Sequence, residues 1–268
     1  MSVLEEKLQE IRNRKRIGLM THVVIGYPTI EATIEIVNTM AERGVDIVEL
    51  QIPFSDPLAD GPTIMRACEK SLENGTKVKD AFKIMKLLKA HISIPLLFMA
   101  YYNTVFKYGV EEFCKDAKSV GVSGLIVPDI PIDEEMEEHF YSNCKKYSLH
   151  NIQVISPVST QDRLKKNAII ASGFVYCTAH QGITGAKDKL DTNLISYLQK
   201  IRQYFSIPIA VGFGISKKEH IKMLKSYADI TVIGSAIIDK INIGGQSEVL
   251  PYIKELTNLT KPGSSDIY

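Results

Sequence analysis

Eight short apolar runs recur along this 268-residue chain, and each is followed by a segment whose apolar residues repeat with helical spacing. The runs are Leu19–Ile25, Ile47–Gln51, Pro95–Tyr101, Gly124–Pro128, Ile152–Ile155, Phe174–Cys177, Pro208–Val211 and Ile230–Ile233. The spacing predicts helices over Ile30–Arg43, Thr63–Asn74, Lys77–Ala90, Val110–Val120, Asp133–Tyr147, Gln161–Ala171, Asn193–Phe205 and Lys217–Ser226. A charged helix precedes the first strand, and more helices close the chain. Gly44 stops the helix that begins at Ile30. Strands that alternate with helices pair in parallel through right-handed crossovers. Eight such units close into a barrel. The expected fold is therefore α/β: a (β/α)8 TIM barrel with extra N-terminal and loop helices. An open doubly wound sheet is the alternative, and the eightfold count argues against it. The length suits one barrel domain spanning 1–268, since this architecture commonly needs about 250 residues. Only the tail from Lys261 to Tyr268 reads as loose.

Charge excludes some functions. Lysine and arginine number 32 and aspartate and glutamate 31, a net charge of +1. That balance gives no reason to expect nucleic acid or an anionic membrane as a partner. The longest apolar stretch, Ile94–Tyr102, falls far short of the ~20 residues that span a bilayer. The N-terminus lacks the apolar stretch of a signal peptide. Cys68, Cys114, Cys144 and Cys177 show no CxxC spacing, so neither a zinc ribbon nor a redox pair is signalled. Unpaired cysteines fit a reducing compartment, and a cytoplasmic protein is expected.

In such a barrel, chemistry gathers at the carboxyl ends of the strands. The densest signal there is Glu49-Leu50-Gln51-Ile52-Pro53-Phe54-Ser55-Asp56-Pro57-Leu58-Ala59-Asp60-Gly61-Pro62-Thr63-Ile64. If Val48 and Leu50 face the helices, alternation turns Ile47, Glu49 and Gln51 toward the barrel axis. A carboxylate there loses its water, which suits a residue that both gives and takes a proton. The plainer alternative is a structural glutamate satisfied at a strand end. Asp60 precedes Gly61 and reads either as a turn former or as a second acid at the mouth. Asp56 shapes the loop or faces a partner.

Strand seven runs into Gly212-Phe213-Gly214, and strand eight into Gly234-Ser235. Glycine lets backbone N–H groups approach an anion, and the helix expected from Ser235 adds its dipole. Together they suggest a phosphate site, with tight packing as the alternative. Gln181–Gly185 is rich in small residues and reads as a lid or an ordinary surface loop.

These residues resemble the tryptophan synthase α subunit family. The run from Glu49 to Ile64 carries the likeness. Tyr101-Tyr102-Asn103, Pro128–Pro131, Gly182–Gly185, Gly212–Ile215 and Gly234–Ile237 support it. The likeness covers about Leu4 to Leu259. It implies retro-aldol cleavage of indole-3-glycerol phosphate to indole and glyceraldehyde 3-phosphate, with no metal or organic cofactor, since the indole ring itself accepts the electrons. It assigns Glu49 as the proton donor and acceptor, and Asp60 as acceptor of the indole N–H. Thr184 matches a lid residue that contacts the aspartate. Gly185, Gly214, Gly234 and Ser235 match backbone donors to phosphate, and Tyr176 matches a tyrosine near the glutamate. Phe213, Met99 and Ile126 are expected to line the indole pocket. The resemblance also implies a β subunit partner in an α2β2 assembly, meeting Asp56, the loop around Tyr101–Val105 and the lid.

Three residues depart from the family pattern. Gln51 stands where glycine is usual and is expected to hydrogen-bond Glu49 or to crowd the pocket. His22 occupies a position usually held by phenylalanine in the pocket and reads as a hydrogen-bonded core histidine. His180 replaces a lid arginine, leaving a group only fractionally charged at neutral pH. A zinc site built on His22 and His180 lacks further suitably spaced ligands. These departures keep two other readings open, a degenerate subunit that mainly activates a β partner and a stand-alone lyase that frees indole. A different phosphate-binding barrel would share the glycine turns but not the segment after strand two.

Overall fold

The computed structural model describes residues 1–130, 132–178, 192–212 and 218–261. Helix α1 (Val3–Asn13) leads into β1 (Gly18–Val24), α2 (Ile30–Glu42) and β2 (Ile47–Gln51). Helices α3 (Pro62–Glu73) and α4 (Val78–Lys89) precede β3 (Leu96–Met99), and α5 (Tyr102–Tyr108) and α6 (Val110–Ser119) precede β4 (Gly124–Ile126). A 3-10 turn at Ile132–Glu134, α7 (Glu135–Glu138) and α8 (Phe140–Lys146) lead to β5 (His150–Ile155). Then come α9 (Gln161–Ile170), β6 (Val175–Thr178), α10 (Thr192–Tyr204), β7 (Ile209–Gly212), α11 (Lys218–Leu224) and β8 (Ile230–Ile233). Helices α12 (Ser235–Gly244) and α13 (Gln246–Thr260) follow. Each strand pairs in parallel with the next, and β8 pairs with β1, closing the barrel. The expected (β/α)8 barrel with extra helices is the fold observed.

Two apolar layers follow from strand alternation. Val48, Leu50, Phe98 and Val211 pack outward beneath the helices. Met20, Ile47, Leu97, Met99, Ile126, Ile152, Phe174, Ala210, Ile230 and Val232 form a separate cluster inside. Helix α1 plugs the floor of that inner cluster with Leu4 and Leu8. Its start is fixed by a capping box between Ser2 and Glu5, and Ser2 Oγ lies 2.8 Å from His150 Nε2 at the foot of β5.

Beside that floor, Arg16 donates two hydrogen bonds to Asp46, at 2.6 and 2.7 Å. Asp46 also accepts the Leu19 N–H at 2.9 Å. A planar guanidinium matches a carboxylate in this way, and the pairing raises the Arg16 pKa against the opposing effect of burial.

The predicted helix over Asp133–Tyr147 is broken instead. His139 adopts the left-handed conformation at φ 53°. Glu135 stabilises the break by accepting the N–H groups of Tyr141 and Ser142, each at 2.7 Å. Its carboxylate thus serves the exposed first donors of α8, a local arrangement that periodicity does not reveal. Helix α5 was also not anticipated. Its seven residues give too few turns for a periodic signal, and Gly109, at φ 97°, separates it from α6.

Asp46→Ala takes the two shortest hydrogen bonds from the Arg16 guanidinium, which keeps Glu10 at 3.3 Å, and leaves the Leu19 N–H without its side-chain acceptor. A loss of about 1.5–3 kcal/mol in unfolding free energy is expected. Denaturant unfolding that shows less than ~1 kcal/mol would contradict this account of the floor.

Candidate active site

The barrel's inner surface changes character along its axis. At the floor it is apolar; at the carboxyl ends of β1 and β2 it turns polar. Register places His22 opposite Glu49 and Val24 opposite Gln51. Gln51 lies opposite Met99, and Met99 opposite Ile126. All five residues of β2 are buried. Glu49 is 4% exposed and Gln51 fully buried, both on the face that Ile47 takes inside the barrel. The inward turn of Glu49 expected from alternation is therefore found.

Asp60 reaches the same space from the loop after β2. Its Oδ2 accepts the Gln51 amide at 2.7 Å and the Tyr101 hydroxyl at 2.9 Å. Tyr101 in turn accepts the Ala59 N–H at 2.9 Å. One phenol thus fixes both the loop backbone and the acid it carries. Phe54 stacks on the Tyr101 ring with centroids 5.2 Å apart. Burial raises the Asp60 pKa; His22, Gln51 and Tyr101 act against it, and the charge of Glu49 adds to it. Burial, together with the charge of Asp60, pushes the Tyr101 phenol well up, so it remains a hydrogen-bond donor.

Gln51 therefore differs from expectation. Its amide donates to Asp60 rather than to Glu49, because the loop brings that carboxylate over the end of β2. Tyr101 is the site residue that the sequence reading assigned to a partner face. It is 2% exposed, and Val105 is fully buried, so neither faces outward. The signal was present: extending the alternation of Leu97 and Met99 by two residues turns Tyr101 inward.

Tyr176 stands across the barrel on β6. Burial raises its phenol pKa far above the usual value, and the carboxylates of Glu49 and Asp60 add to the rise. A Cβ at Gly212 would lie 2.2 Å from the Tyr176 oxygen and 2.6 Å from its ring carbon. Only glycine at the end of β7 leaves the phenol its place. Met99 and Ile126 belong to the inner apolar cluster. His22 is buried, with its Nδ1 3.5 Å from Glu49 Oε2.

Gly234 precedes α12, and no side chain caps that helix. Ser235 opens it on the exposed side. Thr21 pairs with Ile233, so β1 carries His22 next to β8 and Gly234. Glu49 and Gly234 are thus two strand spacings apart, about 10 Å. Thr184, Gly185, Phe213, Gly214 and His180 lie outside the described residues. Among the described residues, no group of three histidine, cysteine or acidic side chains could hold a metal ion.

Comparison with known proteins fits this geometry. The profile of the family described as tryptophan synthase alpha chain matches residues 8–261. The chain belongs to the tryptophan synthase α chain family. It is 44% identical to the tryptophan synthase alpha chain of Desulfotalea psychrophila, over 94% of this chain and 99% of that one. The counterpart from Thermoanaerobacter sp. (strain X514) is 38% identical over 97% and 99%. Among solved structures, a chain of Mycobacterium tuberculosis tryptophan synthase superposes with a TM-score of 0.91 at 29% identity, covering 98% of this chain and 99% of that one. A chain of the tryptophan synthase complex from Pyrococcus furiosus gives 0.81 at 29% identity, covering 91% and 97%.

Within this α-chain site, Gln51→Gly removes one of the two side-chain donors that favour ionised Asp60. The Asp60 carboxyl is expected to titrate at higher pH than in the native chain, read by 13C NMR of the labelled carboxyl carbon. A hydrogen bond to a charged group contributes about 1.5–3 kcal/mol, which bounds the rise at about one to two pH units. An unmoved titration would mean that Gln51 does not hold this acid.

Proposed function

We propose that the barrel mouth cleaves indole-3-glycerol phosphate to indole and glyceraldehyde 3-phosphate, as the α subunit of a tryptophan synthase. The observation that carries this reading is the convergence of two acids, Glu49 and Asp60, at the barrel mouth beside the buried apolar Met99 and Ile126. An apolar slot with few polar groups suits an indole ring.

The chemistry follows from the two environments. Glu49, as the acid, protonates C3 of the indole ring. C3 becomes tetrahedral and the ring nitrogen acquires positive charge. Asp60 accepts the ring N–H and stabilises that charge in a poorly solvated site. The Glu49 carboxylate then takes the proton from the hydroxyl on the adjoining side-chain carbon. The O–H electrons form the aldehyde, the C–C bond breaks, and its electron pair returns to the ring. Indole leaves with the proton that Glu49 donated, and Glu49 is again protonated. Tyr101 and Gln51 hold Asp60 in place for this role. Tyr176 borders the reacting end from β6.

The phosphate is assigned to the far end of the cavity, at the N–H groups beside Gly234 and Ser235, with Gly214 and Gly185 as further donors. The roughly 10 Å between Glu49 and Gly234 suits a three-carbon phosphoester arm with a hydrogen bond at each end. Thr184 is assigned to the lid, and Phe213 to the indole pocket.

A β subunit is the proposed partner. Exposed apolar side chains occur in four consecutive connections after β2, β3, β4 and β5: Leu58, Phe106, Met136 and Val158. Leu58 is 89% exposed, next to the exposed Asp56. These connections, on the face that carries the acids, are assigned to the partner contact. It adjoins the mouth from which indole leaves, so a docked partner would receive the product directly. No helix among the described residues is long and apolar enough to cross a membrane, and the compartment assigned is the cytoplasm.

Indole release from indole-3-glycerol phosphate, followed spectroscopically, tests the reading. Glu49→Gln and Asp60→Asn are each expected to lose on the order of 100-fold or more in turnover. Near-native rates in both would remove the mechanism. Adding a tryptophan synthase β subunit is expected to change the lyase rate of the native chain, and Leu58→Asp to weaken that response. A rate indifferent to β would favour a solitary lyase, and an inactive chain that still activates β would favour a degenerate subunit.

A further inference from the structure

The lyase mechanism uses Glu49 and Asp60 and leaves His22 without a task. Yet His22 is the residue that β1 sets directly opposite Glu49 in the ladder. Its Nδ1 lies 3.5 Å from Glu49 Oε2, and the two side chains are only 6% and 5% exposed. Glu49 Oε2 and His22 Nε2 are both buried without a hydrogen-bond partner. A buried carboxylate oxygen with no donor is costly. The imidazole is the group placed to relieve it, at a separation that a small ring rotation closes to hydrogen-bond length.

We propose that His22 is a positioning residue for Glu49, holding its carboxylate through Nδ1 and sharing one proton with it. This rests on the lyase reading of the same site. The pair exists as carboxylate with imidazolium or as carboxylic acid with neutral imidazole. In the second form Glu49 presents the proton that C3 requires. Once Glu49 has given it up, imidazole and carboxylate face the substrate hydroxyl, and the proton taken from that hydroxyl restores the pair. One proton moves from hydroxyl to C3, and none is gained or lost.

The surroundings allow this exchange. Among the described residues, Glu49 faces His22 from β2 and Asp60 faces it from the following loop; these two charges act on the ring. Gln51 adds an uncharged amide. The start of α12 brings Gly234, where an added Cβ would come within 3.4 Å of the His22 Cβ, and α3 brings Ile64 beside that glycine. Tyr101 and Tyr176 face the carboxylates from beyond β3 and from β6. Burial alone would lower the His22 pKa; Glu49 first, then Asp60, outweigh it and leave it raised. The pair therefore keeps its proton to higher pH than a lone imidazole would. Turnover falls as pH rises through the value at which that proton leaves.

Two measurements on the full chain test the proposal. The first is 15N NMR of labelled histidine rings in the native chain and in Glu49→Gln, with no substrate present. His22 is expected to titrate at least about one pH unit lower in Glu49→Gln. An unchanged titration overturns the pairing, whether or not the chain proves to be a lyase. The second is the pH profile of indole release for the native chain, His22→Asn and His22→Phe. The alkaline limb is expected to move to lower pH in both variants. His22→Asn, which keeps a side-chain donor near Glu49, is expected to retain more of the plateau kcat than His22→Phe. If His22→Phe fails to fold, as circular dichroism would report, His22→Asn carries this arm. A limb that stays in place overturns the shared proton. A chain that releases no indole at all overturns the lyase reading instead, and the NMR arm still decides whether the two residues are coupled.

Discussion

Burial of Glu49 inside an otherwise apolar barrel is the constraint on which the site depends. A carboxylate enclosed in this way needs nearby dipoles or charges, and the barrel supplies them only at one level. Below Glu49 on the same face of β2 lies Ile47, within a layer made by Leu97, Ile152, Phe174 and Ile230. That layer, closed from beneath by Leu4 and Leu8 of α1, is built of apolar side chains. Above it, His22, Gln51, Asp60, Tyr101 and Tyr176 crowd into the mouth. The division between a packed lower barrel and a polar rim is thus set along each strand by a few residues. It separates stability from chemistry in space: the Arg16–Asp46 pair works at the floor, and the acids work at the mouth.

The Asp60 cluster shows how a loop is made part of a rigid scaffold. Loops generally hold side chains less precisely than strands do. Here the Tyr101 hydroxyl takes one hydrogen bond from the loop backbone at Ala59 and gives another to Asp60. Gln51, anchored in β2, gives a second to the same oxygen. Asp60 is therefore fixed by groups at the ends of two neighbouring strands, although it belongs to neither.

The barrel itself was legible in the sequence because its periodicities are strong. Eight apolar runs separated by amphipathic helices leave few other closed arrangements, and period-two alternation alone turns Glu49 inward. What escaped was non-periodic or relational. The break at His139 rests on a carboxylate that caps the next helix from within the preceding one. The partner of Gln51 depended on the path of a nine-residue excursion from Gln51 to Asp60, which no spacing rule defines. The resemblance places the loop around Tyr101 on a partner face, whereas alternation along Leu97 and Met99 turns Tyr101, the last residue of its apolar run, inward. His22 was read in isolation, as a satisfied core histidine. Its place opposite Glu49 is a matter of register between β1 and β2, and register is not written in either strand alone.

Asp60 shows the stability cost of this arrangement. Its pKa is raised in the folded chain, so folding favours its protonated form. Such a group contributes stability below its unfolded pKa and loses that contribution as pH rises through the folded value. Ionised Asp60, the form that can stabilise a positive ring nitrogen, is therefore the form that the fold tolerates less well. Gln51 and Tyr101 reduce that penalty without removing it, since burial remains the largest influence. A fully solvated aspartate would ionise at no cost to the fold, but it would face the ring with its charge screened by water. The barrel accepts a less stable carboxylate because a poorly solvated charge acts more strongly on the transition state than a hydrated one.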